Sequence, residues 1–175
     1  TLSDMHGFVG RGKEISFLTS WITTLDQPSI LNIIAIGGMG KSALSWHWFE
    51  RIAPKIVPTL KGRMWWSFYE TDASFDNFIT QALVYVLQEP RENIVQLPRR
   101  EKEQRLLQEL NNNPFLVVLD GLERILLAYA RHDAAYIQDN DFDLHNGGNQ
   151  VAKTTDPHAG NFLRRLATLK KSHIL

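Results

Sequence analysis

Residues 29–42 have the sequence SILNIIAIGGMGKS, an apolar run that ends in a glycine-rich turn and leads into helical periodicity. The Ile-rich part, Ser29–Ile36, predicts a buried strand. In the turn, Gly37–Ser42, the glycines let the backbone curl so that successive N–H groups point inward. Together with the start of the following helix, these donors form a cradle for phosphate oxygens. The stretch therefore predicts a phosphate-binding loop between a strand and a helix.

The residues of this loop have distinct expected roles. Lys41 would neutralise the β- and γ-phosphates of a nucleotide, and the Ser42 hydroxyl would ligate Mg²⁺. The full pattern G-x-x-x-x-G-K-[ST] has Gly where this chain has Ala35. Because Ala tolerates positive φ poorly, we expect the start of the loop to depart from that pattern. The predicted nucleotide contacts are Gly37, Gly38, Met39, Gly40, Lys41, Ser42 and Ala43.

Strand-like and helix-like stretches alternate along the rest of the chain. Besides Ser29–Ile36, apolar runs predict strands over Arg63–Tyr69 and Phe115–Leu119. Helical periodicity marks Lys13–Leu25, Ser42–Ile52, Ser74–Gln88 and Arg99–Leu110, and Asp156 with Pro157 predicts the start of a later helix. This alternation indicates an α/β fold whose parallel sheet is covered on both faces.

An acidic residue follows the third apolar run. Asp120 comes directly after Phe115–Leu119, at the strand end where phosphate-binding sites place a carboxylate that helps to hold Mg²⁺. Glu123 is a candidate for orienting or deprotonating the attacking water, the alternative being a solvated glutamate that opens a helix. The candidate catalytic residues are thus Lys41, Asp120 and Glu123, and the candidate metal ligands are Ser42 and Asp120.

Composition excludes several classes of protein. The 175 residues carry 19 Lys and Arg against 19 Asp and Glu, so the formal net charge is zero. This balance argues against a chain that coats nucleic acid or an anionic membrane. The chain has no Cys, which excludes a disulfide framework and thiolate zinc sites. No run approaches the ~18 apolar residues of a membrane helix. We expect one cytoplasmic domain without a membrane partner.

Other polar stretches do not predict additional sites. Residues 131–155 are polar and weakly periodic, which predicts a long loop or an insertion. Within it, Asp139, Asp141 and Asp143 resemble the start of a calcium loop, but the required Gly and Glu are missing from their places. The six His are scattered, so a zinc site is not expected. The mixed-charge run Arg99–Arg105 predicts a solvated helix face more than a nucleic-acid site.

Taken together, these motifs resemble the nucleotide-binding domain of STAND NTPases, the NB-ARC- and NACHT-related branch of AAA+ ATPases. The segment Phe8–Ile15, FVGRGKEI, is similar to the opening motif F-V-G-R-x-x-E-(L/I) of that family. Residues 64–69, MWWSFY, are similar to its aromatic second strand. Residues 119–123, LDGLE, are similar to its Walker B strand. The resemblance covers nearly the whole chain.

The resemblance implies a P-loop NTPase fold, a three-layer αβα sandwich with a central parallel sheet, over residues 1–175. In the family, the fourth strand lies between the phosphate-loop strand and the Walker B strand; here it would begin near Ser172. We expect that sheet to be incomplete at the C-terminus, with the sensor residue, the winged-helix clamp and the effector and sensor domains outside this chain. By resemblance, Val9, Gly10 and Arg11 are adenine-side contacts.

The implied function is an ATP- or ADP-binding switch that uses Mg²⁺. Bound ADP would hold a closed form, ATP exchange would permit opening and self-association, and weak ATPase activity would reset the switch. Innate or antiphage immune signalling is the role that the family suggests. Two alternatives stay open: an AAA+-like turnover ATPase that acts on nucleic acid, and a scaffold with a degenerate nucleotide site, for which Ala35 is the only hint.

Overall fold

The computed structural model describes residues 10–125 and 157–175. Its helices are α1 (Gly12–Thr23), α2 (Lys41–His47), α3 (Ala53–Ile56), α4 (Phe75–Leu87), α5 (Arg91–Val95), α6 (Arg99–Asn112) and α7 (Pro157–Leu166). Its strands are β1 (Gly62–Ser67), β2 (Phe115–Asp120) and β3 (His173–Ile174). A π-helical turn (Trp48–Ile52) joins α2 to α3, and a 3-10 turn (Leu122–Ile125) follows β2. Val9, Asp156 and the predicted loop at 131–155, with Asp139, Asp141 and Asp143, lie outside the described residues.

The three strands form one parallel sheet in the order β1-β2-β3. β1 pairs with β2 over its whole length, from Gly62 opposite Phe115 to Ser67 opposite Asp120. β3 pairs with the middle of β2. The prediction of an α/β fold with a parallel sheet is therefore confirmed.

Strand β2 lies at the centre of the core, and its side chains alternate between two apolar clusters. Phe115, Val117 and Leu119 belong to a cluster with α4, α6 and α7. Leu116 and Val118 belong to a second cluster with α1, α2 and the π-helical turn. All five are at least 93 % buried, because helices cover both faces of the sheet at this strand.

Helix α4 begins as its sequence predicts. The Ser74 side chain accepts a hydrogen bond from the Asn77 amide at 3.2 Å, which satisfies one of the free N–H groups of the first turn. The helix ends at Leu87, and the next residue, Gln88, has a φ of 55°, in the left-handed region. Its apolar stripe is buried against the sheet and comprises Phe75, Phe78, Ile79, Leu83 and Val86.

The predicted strand over Ser29–Ile36 is wrong beyond its first residues. Only Ile30 makes a β-bridge, to Ile174, and the Leu31 amide donates to the Ile174 carbonyl at 2.9 Å. Ile36 is 82 % exposed, although its side chain is apolar. Within 10–125 and 157–175, no strand pairs with residues 32–36.

The bridge at Ile30 nevertheless fixes the order of chain segments across the sheet. β3 lies between β2 on one side and Ile30 on the other. This is the position predicted for a strand that begins near Ser172. The segment that precedes the glycine-rich loop is thus placed beside β3, and the loop continues from it toward the end of β2.

Candidate functional site

The glycine-rich loop owes its shape to two left-handed residues. Gly38 has a φ of 78° and Gly40 a φ of 77°, values that L side chains rarely adopt. A Cβ added at either residue would meet no atom within 4 Å, so the need for glycine comes from the backbone and not from lack of space. Helix α2 begins at Lys41, directly after Gly40. The predicted order of turn and helix is therefore present.

Ala35 does not require the backbone freedom of glycine. Within the described part of the chain, positive φ at a residue other than glycine is found at Asp26, Asp72 and Gln88, not at Ala35. The carbonyl of Ala35 accepts a hydrogen bond from the Lys41 ammonium at 2.8 Å. The departure from the phosphate-loop pattern thus introduces no left-handed alanine.

Lys41 lies folded back over the loop through this bond to Ala35. A neutral carbonyl is a weaker partner for an ammonium than a phosphate oxygen is, since the negative charge of the phosphate adds Coulomb attraction. The Lys41 ammonium is therefore available to a phosphate that displaces the carbonyl.

The two predicted metal ligands meet at one edge of the sheet. The Ser42 hydroxyl donates to Oδ1 of Asp120 at 2.7 Å, although the residues are 78 positions apart in the sequence. Asp120 is the last residue of β2, and its carbonyl accepts from the Phe68 amide at 2.8 Å. Hydroxyl and carboxylate oxygens are ligands that suit Mg²⁺. The fold thus brings the first turn of α2 to the end of the central strand.

Arg11 contacts the glycine-rich loop. Its Nη2 donates to the Met39 carbonyl at 2.8 Å, and its Nη1 donates to Oε1 of Glu14 at 2.9 Å. The hydrogen bond from Arg11 lowers the pKa of Glu14 below its ordinary value of 4.5. The family resemblance implies that Gly10 and Arg11 lie near an adenine. The bond to Met39, which joins residues 28 positions apart, was not predicted. No local sequence pattern reports such a contact.

Glu123 accepts a hydrogen bond from Tyr69, which was not among the predicted site residues. Glu123 lies in the 3-10 turn after β2, half-buried, and its Oε1 accepts a hydrogen bond from the Tyr69 hydroxyl. Tyr69 follows β1 closely and is 51 % exposed. The aromatic run at 64–69 predicted a strand, so its last residue was assigned to the sheet and not to the site.

The oxygens of Ser42 and Asp120 are the metal-binding atoms that the sequence predicted at this place. Among residues 10–125 and 157–175, no group of three or more His, Asp or Glu side chains could hold a metal ion. Mg²⁺ does not require such a group, because it usually keeps several waters and takes one or two protein ligands plus phosphate oxygens. Ser42 and Asp120 match that ligand set.

Comparisons with known protein families, with curated proteins and with solved structures found no match. Across the described stretches 10–125 and 157–175, no helix is long and apolar enough to cross a membrane. The STAND resemblance therefore stays a prediction, and the function proposed below depends on the geometry of the loop and of the end of β2.

Proposed function

We propose that this chain binds ATP or ADP with Mg²⁺ and acts as the nucleotide switch of a STAND-type P-loop NTPase. The hydrogen bond between Ser42 and Asp120 supports the proposal most directly, because it joins the two residues that the sequence predicts as metal ligands. A glycine-rich turn alone is common in α/β proteins. A hydroxyl at the start of the following helix, paired with a carboxylate from the central strand, is the arrangement that a Mg²⁺-nucleotide needs.

The phosphate groups would be held by the loop at 37–43. Its left-handed residues, Gly38 and Gly40, shape the backbone, and Lys41 supplies the positive charge. In exchange for its bond to Ala35, the Lys41 ammonium would gain bonds to phosphate oxygens, which are anionic acceptors. Since the net charge of the chain is zero, attraction for a polyphosphate is local to this loop.

The metal would be held by the hydroxyl oxygen of Ser42 and the carboxylate of Asp120. When bound, Mg²⁺ supplies positive charge that neutralises β- and γ-phosphate oxygens. Asp120 is fixed for this role by β2, which is buried on both faces, and by the amide of Phe68 at its carbonyl. Glu123, three residues further on, is the candidate for orienting the attacking water in a weak ATPase reaction.

The position of β3 adds support for the P-loop fold. It lies between β2 and the segment before the loop, as the family resemblance implies for its fourth strand. The switch itself, with ADP-held closure, exchange for ATP and self-association, follows from that resemblance. Effector and sensor domains would belong to parts of the protein outside this chain.

Nucleotide affinity of a lysine variant tests the proposal. We expect Lys41→Ala to weaken ATP and ADP binding by at least about tenfold, because hydrogen bonds to charged groups contribute roughly 1.5–3 kcal/mol. Isothermal titration calorimetry with Mg²⁺ present measures this. The control is Lys55→Ala, which removes the same charge from an exposed position in α3 and should leave the affinity unchanged. Equal affinity in wild type and Lys41→Ala would contradict the assignment.

A further inference from the structure

Tyr69 lies where the carboxyl ends of two neighbouring strands meet. In the parallel register, Ser67 of β1 is opposite Asp120 of β2. The Phe68 amide donates to the Asp120 carbonyl at 2.8 Å, so pairing continues one residue beyond β1. The Tyr69 amide then lies 3.3 Å from the Ser67 hydroxyl oxygen. This backbone connection fixes the start of the Tyr69 side chain relative to Asp120.

The Tyr69 side chain contacts three residues of the turn that follows Asp120. Its hydroxyl donates to Oε1 of Glu123. Its ring lies so close to Gly121 that a Cβ there would be 2.6 Å from Cε2. On the same ring, the guanidinium carbon of Arg124 lies 5.4 Å from the centroid. The turn is therefore built around one aromatic side chain, which comes from the segment that follows the neighbouring strand.

Gly121 makes this fit specific. Its φ is 76°, so a side chain would be strained there whatever the available space, and the Tyr69 ring occupies the volume that a Cβ needs. Both features keep the residue after Asp120 small and left-handed. The chain then turns at once into the 3-10 segment that carries Glu123.

The hydrogen bond leaves Glu123 able to accept another donor. An ionised carboxylate has two oxygens with about four lone-pair sites, and the Tyr69 hydroxyl occupies one site on Oε1. Oε2 can still accept a hydrogen bond from water. A half-exposed Glu otherwise retains rotamer freedom, which a group that orients a base must restrict. Bases in active sites are commonly held by a third group in this way.

We propose that Tyr69 is a positioning residue, which orients the Glu123 carboxylate toward the water that attacks the terminal phosphate. The proposal rests on the proposed function, since it requires Mg²⁺-nucleotide at Ser42 and Asp120. Tyr69 itself transfers no proton in this scheme. It sets the direction of Oε2, and Glu123 polarises the water.

Paired tyrosine variants of the full-length protein test this role by steady-state ATP hydrolysis with Mg²⁺. We expect Tyr69→Phe to lower kcat by about three- to tenfold, because it removes one hydrogen bond to Glu123. KM and the nucleotide Kd should stay unchanged, because the variant removes no contact to the phosphates. Tyr85→Phe is the matched control. It also removes one hydroxyl, which accepts from the Arg63 amide at 2.9 Å near the opposite end of β1.

A double variant separates positioning from a merely structural role. In a Glu123→Gln background, Tyr69→Phe should change kcat by less than about twofold, since the group it orients is already inactive. A full additional loss in that background would overturn the proposal. So would a wild-type kcat no higher than that of Glu123→Gln, or an equal loss in Tyr85→Phe. The calorimetric Kd keeps the two claims apart: ATP affinity that depends on Lys41 leaves the proposed function standing whatever Tyr69 does.

Discussion

Two apolar stretches of this chain differ in how far they are buried and in whether they form a strand. Phe115–Leu119 forms most of β2 and is buried on both faces, with each residue 7 % exposed or less. Ser29–Ile36 contains four Ile and one Leu among eight residues, yet Ile34 is 86 % and Ile36 82 % exposed. β2 has a strand on each side, whereas the second stretch has one two-residue neighbour at its first residues.

The difference shows that an apolar run acquires strand structure from its neighbours. A strand satisfies its amides and carbonyls only through partners, and side chains alone do not supply them. β2 anchors Asp120 rigidly for this reason. In the stretch that leads to the glycine-rich loop, Ile30, Leu31 and Ile33 pack at the margins of the two apolar clusters. Further along, Ala35 is held by the bond from Lys41. One side of the candidate site is thus fixed by a strand that is buried on both faces, and the other by partly buried side chains and a few hydrogen bonds.

Amide hydrogen exchange should show the largest contrast between the two stretches. We expect residues 116–119 to exchange only through global unfolding, and residues 32–36 to exchange at least about a thousandfold faster, since global opening costs roughly 5–15 kcal/mol. Exchange followed by NMR in one sample compares both directly. Similar protection of the two stretches would mean that residues 32–36 have strand partners.

Removing a β2 side chain should cost far more stability than removing an exposed one. Leu116 is fully buried, so we expect Leu116→Ala to lower the free energy of unfolding by about 2–5 kcal/mol through lost packing and a cavity. Ile36→Ala is the control and should stay within about 0.5 kcal/mol. Denaturant unfolding followed by Trp fluorescence measures both. If Ile36→Ala lowered the free energy of unfolding as much as Leu116→Ala does, the two stretches would not differ in their contribution to stability.

The effect of replacing a loop glycine by alanine on the free energy of unfolding should depend on the φ of that glycine. Gly40 is left-handed, so Gly40→Ala should lower the free energy of unfolding by roughly 1–2 kcal/mol through backbone strain. Gly37 has no positive φ and open space around it, and Gly37→Ala should be neutral or slightly stabilising. Thermal unfolding of the two variants checks this. Equal effects would show that the loop does not hold Gly40 in the left-handed region.

The smallest expected effect is a pH dependence of the free energy of unfolding, which arises from His173 in β3. Burial lowers the pKa of His173 below its ordinary value of 6.5, and the ring makes an edge contact with Trp21 at 5.1 Å. The unfolded chain then binds the proton more tightly, so stability falls as pH drops below 6.5 toward the lower pKa of the folded state. Unfolding across that range should show a shallower fall in His173→Phe. If stability fell as steeply with pH in His173→Phe as in wild type, groups other than His173 would cause the pH dependence.

Much of the fold followed from local sequence patterns. The N-cap at Ser74, the stripe of α4 and the buried strand after Pro114 depend on neighbours in sequence, and all are observed. The strand near Ser172 was implied by the family resemblance, and β3 begins at His173. The expectation that Ser42 and Asp120 act together came from the chemistry of Mg²⁺ and phosphate. The structure brings the two together at 2.7 Å.

What the sequence could not predict depends on distant partners. The exposure of Ile36 depends on which strand lies alongside, and the pairing of Tyr69 with Glu123 joins residues 54 positions apart. The bond from Arg11 to Met39 is of the same kind. No local periodicity or motif carries such information, because each contact is created by the packing of separate elements.

The Mg²⁺ dependence of ATP affinity in Asp120→Asn tests the central claim most directly. Asn keeps the size of Asp and an oxygen that can accept from Ser42, but it removes the charge that a cation needs. Calorimetric titration with excess Mg²⁺ and with EDTA should show that Mg²⁺ tightens ATP binding by at least about tenfold in wild type, and by much less in Asp120→Asn. The same Mg²⁺ effect in both proteins, or no ATP binding by wild type, would contradict a magnesium–nucleotide site at Ser42 and Asp120.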